Sequence, residues 1–241
     1  MLNASNLTVA RGKSVTLDDI SFTLASGRTL AVVGESGAGK STLIGAILGL
    51  VRCTSGRITW NDAPVQNCRP ALVMQEPRSA FNPRLTLRRS VMEPVVAQGL
   101  NVDIDQLNTL CEGLEIAPQL LDRLPSQVSI GQAQRVGILR ALIASPPLVL
   151  FDEPLSALDA VTQKHTARLI ADLQIQTGFA ALIVTHDLGY AAAYADDIAV
   201  LRAGRIDELT PSAAFIEAPQ SDYGRILRDA AFALGALERV A

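Results

Sequence analysis

Aromatic residues are scarce in this chain: Phe, Trp and Tyr together make 4% of it, with a single tryptophan. Its core therefore has to be aliphatic, and a hydrophobic share of 49% is ample for one. Cysteine is equally sparse. Cys53, Cys68 and Cys111 are odd in number and lack metal-type spacing, which argues against a disulfide framework or a thiolate cluster and favours reduced thiols in the cytosol. No excess of positive charge exists either. With 21 Lys and Arg against 24 Asp and Glu the formal net charge is −3, so bulk electrostatics do not hold this protein on nucleic acid. No apolar run reaches the length needed to span a bilayer. Met1-Leu2-Asn3-Ala4-Ser5 shows no basic segment followed by an apolar one, so no secretion leader is expected. Internal repeats and low-complexity tracts are missing as well.

What the chain does have is Gly34-Glu35-Ser36-Gly37-Ala38-Gly39-Lys40-Ser41, a fit to G-x-x-x-x-G-K-[ST]. An apolar strand, Thr29 to Val33, precedes it, and a helix spanning Ser41, Thr42 and on to Leu48 follows. Glycines let backbone N–H groups turn inward around a phosphate, and the helix N-terminus adds its positive end. Lys40 is placed to reach β- and γ-phosphates, and the Ser41 hydroxyl is a Mg²⁺ ligand. Further on, Leu148-Val149-Leu150-Phe151 reads as a buried strand ending in Asp152-Glu153. Carboxylates there stand in the crevice where open α/β sheets bind ligands. Asp152 suits Mg²⁺, and Glu153 suits the polarisation of an attacking water.

At 241 residues the chain is expected to form one domain. Strand patterns over 2–9, 15–24, 56–60 and 71–74 come first. From about Leu85 to Ala144 helical periodicity takes over, and Pro94, Pro118 and Pro125 are expected to punctuate it into several helices. Strands return at 148–151 and 180–184, with a helix over Val161 to Gln176 between them, followed by a hairpin around Gly204 and a helical tail from Pro211. The expected fold is α/β: a P-loop NTPase core (1–83 and 146–241) carrying an N-terminal antiparallel β subdomain, with an α-helical subdomain inserted at about 84–145.

These motifs, in this order, resemble the ATP-binding subunits of ABC transporters over nearly the whole chain. Gly34 to Ser41 match the Walker A loop, Gln75 the Q-loop glutamine, and Val128-Ser129-Ile130-Gly131-Gln132 the L-S-G-G-Q signature. Asp152-Glu153 match Walker B, Ser156-Ala157-Leu158-Asp159 the D-loop, and His186 the switch histidine. The resemblance implies an ATP hydrolase using ATP and Mg²⁺. Glu153, His186 and Gln75 would be its catalytic residues, and Ser41, Gln75 and Asp152 would serve the metal. It also implies head-to-tail pairing with a second ATP-binding subunit, so that Ser129, Gly131, Gln132 and Asp159 meet nucleotide bound to the partner. Transmembrane permease subunits and, indirectly, an extracytoplasmic solute-binding protein are further expected partners, and the chain would sit peripherally on the cytoplasmic face of the membrane. His165 keeps a structural reading.

Two departures from the family pattern stand out. Ile130 replaces the first signature glycine, behind Val128 in place of leucine. Arg11 stands near the position of the aromatic that stacks on adenine; it either stacks its guanidinium on the base or is a solvated loop arginine. Within the family, Gln75-Glu76-Pro77-Arg78-Ser79-Ala80-Phe81-Asn82-Pro83 is similar to the corresponding segment of dipeptide, oligopeptide and nickel importers. Import of nickel or other metal chelates (metallophores) or of short peptides is the expectation this implies, with Ile130 and the short tail leaning toward the metal branch. An exporter ATPase and a soluble non-transport ABC ATPase are the alternatives.

Overall fold

The computed structural model describes residues 1–12, 14–101 and 103–237, and of Arg11 the backbone alone. In chain order the elements are β1 (Leu2–Arg11), β2 (Ser14–Leu24), β3 (Thr29–Val33), α1 (Lys40–Ile47), β4 (Ser55–Trp60) and β5 (Ala63–Pro64). Then come β6 (Ala71–Val73), α2 (Leu87–Ala97), α3 (Ile104–Gly113), α4 (Ile130–Leu142), β7 (Leu148–Asp152) and α5 (Ala160–Thr177). The chain closes with β8 (Ala180–Thr185), α6 (Leu188–Tyr194), β9 (Asp197–Arg202), β10 (Arg205–Pro211), α7 (Ser212–Glu217) and α8 (Asp222–Ala233). They form two compact units, Met1–Pro70 with Ala180–Ala241, and Ala71–Phe179.

The first unit holds two sheets. One is antiparallel, in the order β2-β1-β4-β5. Leu2, Ala4, Leu7 and Val9 of β1 face inward against Leu17, Ile20, Phe22 and Leu24 of β2. In the other, β3 runs parallel to both β8 and β9, and β10 closes against β9 as an antiparallel hairpin. All residues of β3 and β8 are buried, the near-continuous apolar run of strands covered on both faces. Helices α6, α7 and α8 contribute Leu188, Ala191, Phe215, Tyr223 and Ala231 to one core with Ala31, Val33, Ile198 and Val200.

The second unit sets α2 to α5 beside the parallel pair β6 and β7. Pro118 and Pro125 each open a short 3₁₀ turn, as proline does at a first helical position. Pro94 departs from the expected punctuation: it lies inside α2 without ending it. Proline has no N–H to give to the carbonyl four residues back, which is Ser90. Here the Arg140 Nε of α4 donates to that oxygen at 3.1 Å, supplying the missing bond. The same guanidinium donates to the Ala80 carbonyl at 2.9 Å and pairs with Glu93 at 3.0 Å.

Candidate nucleotide site

In the first unit, parallel pairing aligns Val33 of β3 with Thr185 of β8. The residues that follow, Gly34 and His186, therefore leave neighbouring strands at the same edge. His186 is exposed there, directly before Asp187, whose carboxylate caps α6 by accepting the Tyr190 N–H. Gly34 to Ser41 form the expected loop into a helix. Gly39, at φ 111°, is the last residue before α1, and its carbonyl accepts the Leu43 N–H at 2.9 Å. Glycine is required at Gly34 by contact: a Cβ there would come within 2.1 Å of the Leu201 carbonyl oxygen in β9. At Gly37, with φ 83° and open space around the position, only the backbone conformation demands it. The β9–β10 turn braces the loop from below, the Gly204 N–H donating to the Ala38 carbonyl at 3.0 Å. Lys40 is buried, its Nζ donating to the Gly34 and Glu35 carbonyls at 2.7 and 2.9 Å. The ammonium is thus held by backbone oxygens at the start of the loop. Ser36, Ser41 and Thr42 complete this stretch; the Arg11 side chain lies outside the described residues.

In the second unit the same logic operates. β6 and β7 are parallel with Val73 opposite Phe151, so Gln75 and Glu153, each two residues further on, emerge together. The Gln75 Nε2 donates to the Glu153 Oε2 at 3.4 Å. Glu153 occupies the left-handed backbone region at φ 45°, which costs a side-chain-bearing residue roughly 1–2 kcal/mol. Its carbonyl accepts both the backbone N–H and the hydroxyl of Ser156. That turn over 153–156 holds the Glu153 backbone in this conformation.

The signature residues start α4. Ser129 Oγ accepts the Gln132 N–H at 3.1 Å, and Gln132 Oε1 accepts the Ser129 N–H at 3.0 Å, a reciprocal capping box. Both side chains are thus engaged within the helix start, while Ile130 beside them is 44% exposed. Gly131 lies against α5: a Cβ there would stand 3.0 Å from the Thr162 methyl. Asp159 caps α5, one oxygen taking the Val161 and Thr162 N–H groups and the other the Thr162 hydroxyl at 2.7 Å. Those bonds, that of the Thr162 hydroxyl first, hold the Asp159 carboxyl below its ordinary range. His165 stands 2.7 Å from the Glu115 carboxylate, which also meets Arg135.

Sequence reasoning passed over Arg78 and Arg140. Arg78 follows the Q-loop glutamine and donates to the Val128 carbonyl at 2.6 Å. A cation between Pro77 and Ser79 was the available signal; its partner, fifty positions on, could not be read.

The ABC transporter family matches residues 17–156, and this chain belongs to it, as an ATP-binding subunit and ATP hydrolase. Among its relatives, a probable peptide ABC transporter ATP-binding protein of Sinorhizobium fredii is 37% identical, aligned over 94% of this chain and 67% of that protein. The oligopeptide transport ATP-binding protein OppF of Escherichia coli is 32% identical over 89% of this chain and 68% of its own length. By structure, the chain resembles cbiO1 of Clostridium perfringens, part of an ABC transporter complex, with TM-score 0.82 at 23% identity, covering 97% of this chain and 95% of that one. It also resembles a dimeric ATP-binding cassette in a post-hydrolysis state bound to ADP and Pi. There the TM-score is 0.75 at 25% identity, over 88% and 99% of the two chains. The fold is that of the ABC ATPase cassettes. Among the described residues no helix is long and apolar enough to cross a membrane.

Proposed function

We propose that this chain energises a membrane importer of short peptides, with the loop from Gly34 to Ser41 and the following Thr42 cradling the ATP phosphates. A peptide cargo is supported by the two relatives, which are named for peptide and oligopeptide transport, and import by the importer-like run from Gln75 to Pro83. In this reading Lys40 exchanges its carbonyl partners for β- and γ-phosphate oxygens. Glu153 takes the proton of the attacking water, Gln75 and His186 orient that water, and Arg11 is the candidate contact for the base.

Mg²⁺ fits the donor set. Hydroxyl, amide and carboxylate oxygens of Ser41, Gln75 and Asp152 are the hard ligands it prefers, few in number because phosphates and water complete its shell. With Nε2 given to Glu153, the Gln75 amide oxygen is the atom left to present to a cation. Among the described residues no group of three or more His, Cys, Asp and Glu competes for it. When bound, the ion neutralises charge on the phosphates.

Ser129, Gly131 and Gln132 open α4 toward nucleotide on a second ATP-binding subunit, and Asp159 serves the same junction. Since both signature side chains lie in the capping box, what α4 offers a phosphate is its helix N-terminus and the outer face of the Ser129 hydroxyl. Permease subunits hold the pair at the cytoplasmic face of the membrane, and a solute-binding protein delivers the cargo. Nickel and other metal chelates are the competing cargo class.

The observation that carries the catalytic assignment is the meeting of Gln75 and Glu153 at one strand edge. Glu153→Gln in the assembled transporter should retain ATP binding and lose turnover by about a hundredfold or more, the usual contribution of a general base. Normal hydrolysis by that variant refutes the role. Stimulation of the parent ATPase by peptides but not by chelated metals decides the cargo, and stimulation by chelated metals alone reverses it.

A further inference from the structure

The strongest feature left unused is a clamp joining the Q-loop to the signature helix, wholly within the second unit. Directly after Gln75 and Glu76, a 3₁₀ turn spans Pro77–Ala80. At one end of that turn Arg78 donates to the carbonyl of Val128, the residue before the cap of α4. At the other end, Arg140 near the end of α4 donates to the carbonyl of Ala80. Between them the Phe81 ring is buried and borders α4 at Gly137, where a Cβ would lie 4.0 Å from its Cζ. The turn is thus fastened to both ends of one helix. The two fastenings differ, however. Arg140 is also occupied by Ser90 and Glu93, which makes it an internal brace of the helical subdomain. Among the described residues the Arg78 side chain makes one hydrogen bond, to the Val128 carbonyl.

We propose that Arg78 is a positioning residue that transmits the state of the Q-loop to the signature: a displacement at Gln75 is carried by the guanidinium to the Val128 carbonyl. From there it passes to Ser129 and Gly131, one and three residues on. This rests on the phosphate-site reading above, in which Gln75 senses the γ-phosphate and its cation while α4 faces the nucleotide of a partner subunit. A peptide carbonyl is a rigid handle, because it belongs to the planar unit whose N–H is the Ser129 N–H of the capping box. Moving the Val128 oxygen therefore reorients the first turn of α4 without unfolding it. The link also crosses fifty positions of sequence with one bond, so Arg78 affects signature geometry while leaving this chain's own phosphate loop untouched.

The test uses the assembled transporter, with MgATP as nucleotide and a mixed peptide pool as cargo. Arg78→Met removes the donor and keeps the aliphatic stem; Arg78→Lys keeps one donor. The methionine variant is expected to lose about tenfold in cargo-stimulated kcat, the order of one charge-assisted hydrogen bond felt in the barrier. KM for ATP should stay within twofold of the parent, and Arg78→Lys should recover most of the loss. Combined with Gln75→Ala, Arg78→Met should add no further loss, because both act along one path. A role confined to stability would instead lower the thermal midpoint and reduce every variant's rate in proportion. That pattern overturns the proposal, as does a stimulated kcat within twofold of the parent or a loss that multiplies with Gln75→Ala. If the methionine variant does not accumulate folded, Arg78→Gln, too short to reach the carbonyl, is judged by the same criteria. Lys40→Ala runs alongside: retained nucleotide affinity there overturns the phosphate-loop reading and this proposal with it. Lost affinity with an unaffected Arg78→Met overturns this proposal alone.

Discussion

Glu208 is a carboxylate in β10 that is only 5% exposed, and it organises the start of α8. Its two oxygens accept the Gln220 N–H at 2.8 Å, the Ser221 N–H at 2.9 Å and the Ser221 hydroxyl at 2.9 Å. Ser221 in turn caps α8 by accepting the Gly224 N–H at 2.8 Å. Glu208→Ala strips all of these donors of their partner at once. A hydrogen bond to a charged group contributes about 1.5–3 kcal/mol, and the contributions are not additive. The variant also escapes the cost of burying the charge, which offsets part of the loss. A net destabilisation of about 3 kcal/mol follows, a large share of the ~5–15 kcal/mol by which domains are stable. At roughly 2–4 °C per kcal/mol for a chain of this size, the thermal midpoint should fall by about 10 °C. The damage should begin locally, so limited proteolysis within 218–237 should quicken before the midpoint is reached. Glu208→Gln, which keeps an accepting oxygen, should lose about half as much. Unchanged proteolysis and an unchanged midpoint in Glu208→Ala would refute the reasoning, showing that the cluster is hydrated and the helix held by its apolar face alone.

Two more outcomes can be read from stability measurements. Gly34→Ala places a methyl within 2.1 Å of the Leu201 carbonyl and should cost about 1–3 kcal/mol by denaturant titration. Gly37→Ala, which meets no neighbour, should cost about 1 kcal/mol from backbone strain alone, and equal losses at the two positions would contradict the contact argument. Burial, aided by Tyr194 and Asp187, pushes the Tyr190 phenol above its ordinary range. The unfolded chain therefore releases that proton at about pH 10 while the folded one keeps it, so stability falls as pH rises beyond that point. Tyr190→Phe should flatten the fall in unfolding free energy between pH 9 and 11; an unaltered slope would assign it to other groups.

Much of the architecture was legible because its signals are local. The strand before the Gly34 to Ser41 loop is expected over Thr29 to Val33 and found there, and the helix expected over Val161 to Gln176 runs Ala160–Thr177. Candidate residues from different motifs share strand edges because parallel pairing places equivalent positions side by side, as with Gln75 and Glu153. What failed depended on distant partners. Pro94 breaks no helix, because Arg140, forty-six positions later, supplies the bond that proline cannot. In β10 the alternation that runs through Ile206, Glu208 and Thr210 places the polar Glu208 and Thr210 inward and leaves Leu209 exposed, so hydrophobicity and burial part company there. A polar residue is then the buried one, and its partners at 220 and 221 belong to a later helix. Neither partner is visible in a window around Glu208.

The brace beneath the loop from Gly34 to Ser41 has a practical consequence for anyone attaching reporters to this protein. The Ala203–Gly204 turn looks like an ordinary hairpin tip, the usual choice for an inserted tag or a cysteine label. Its amide, however, is bonded to Ala38, a Cβ at Gly204 would stand 2.6 Å from the Thr16 carbonyl, and Leu201 shapes the loop at Gly34. A probe placed there would be reporting on a loop, Gly34 to Ser41, that it had itself rearranged. Ile175, 82% exposed near the end of α5, offers a handle for fluorescence or spin labels without that entanglement.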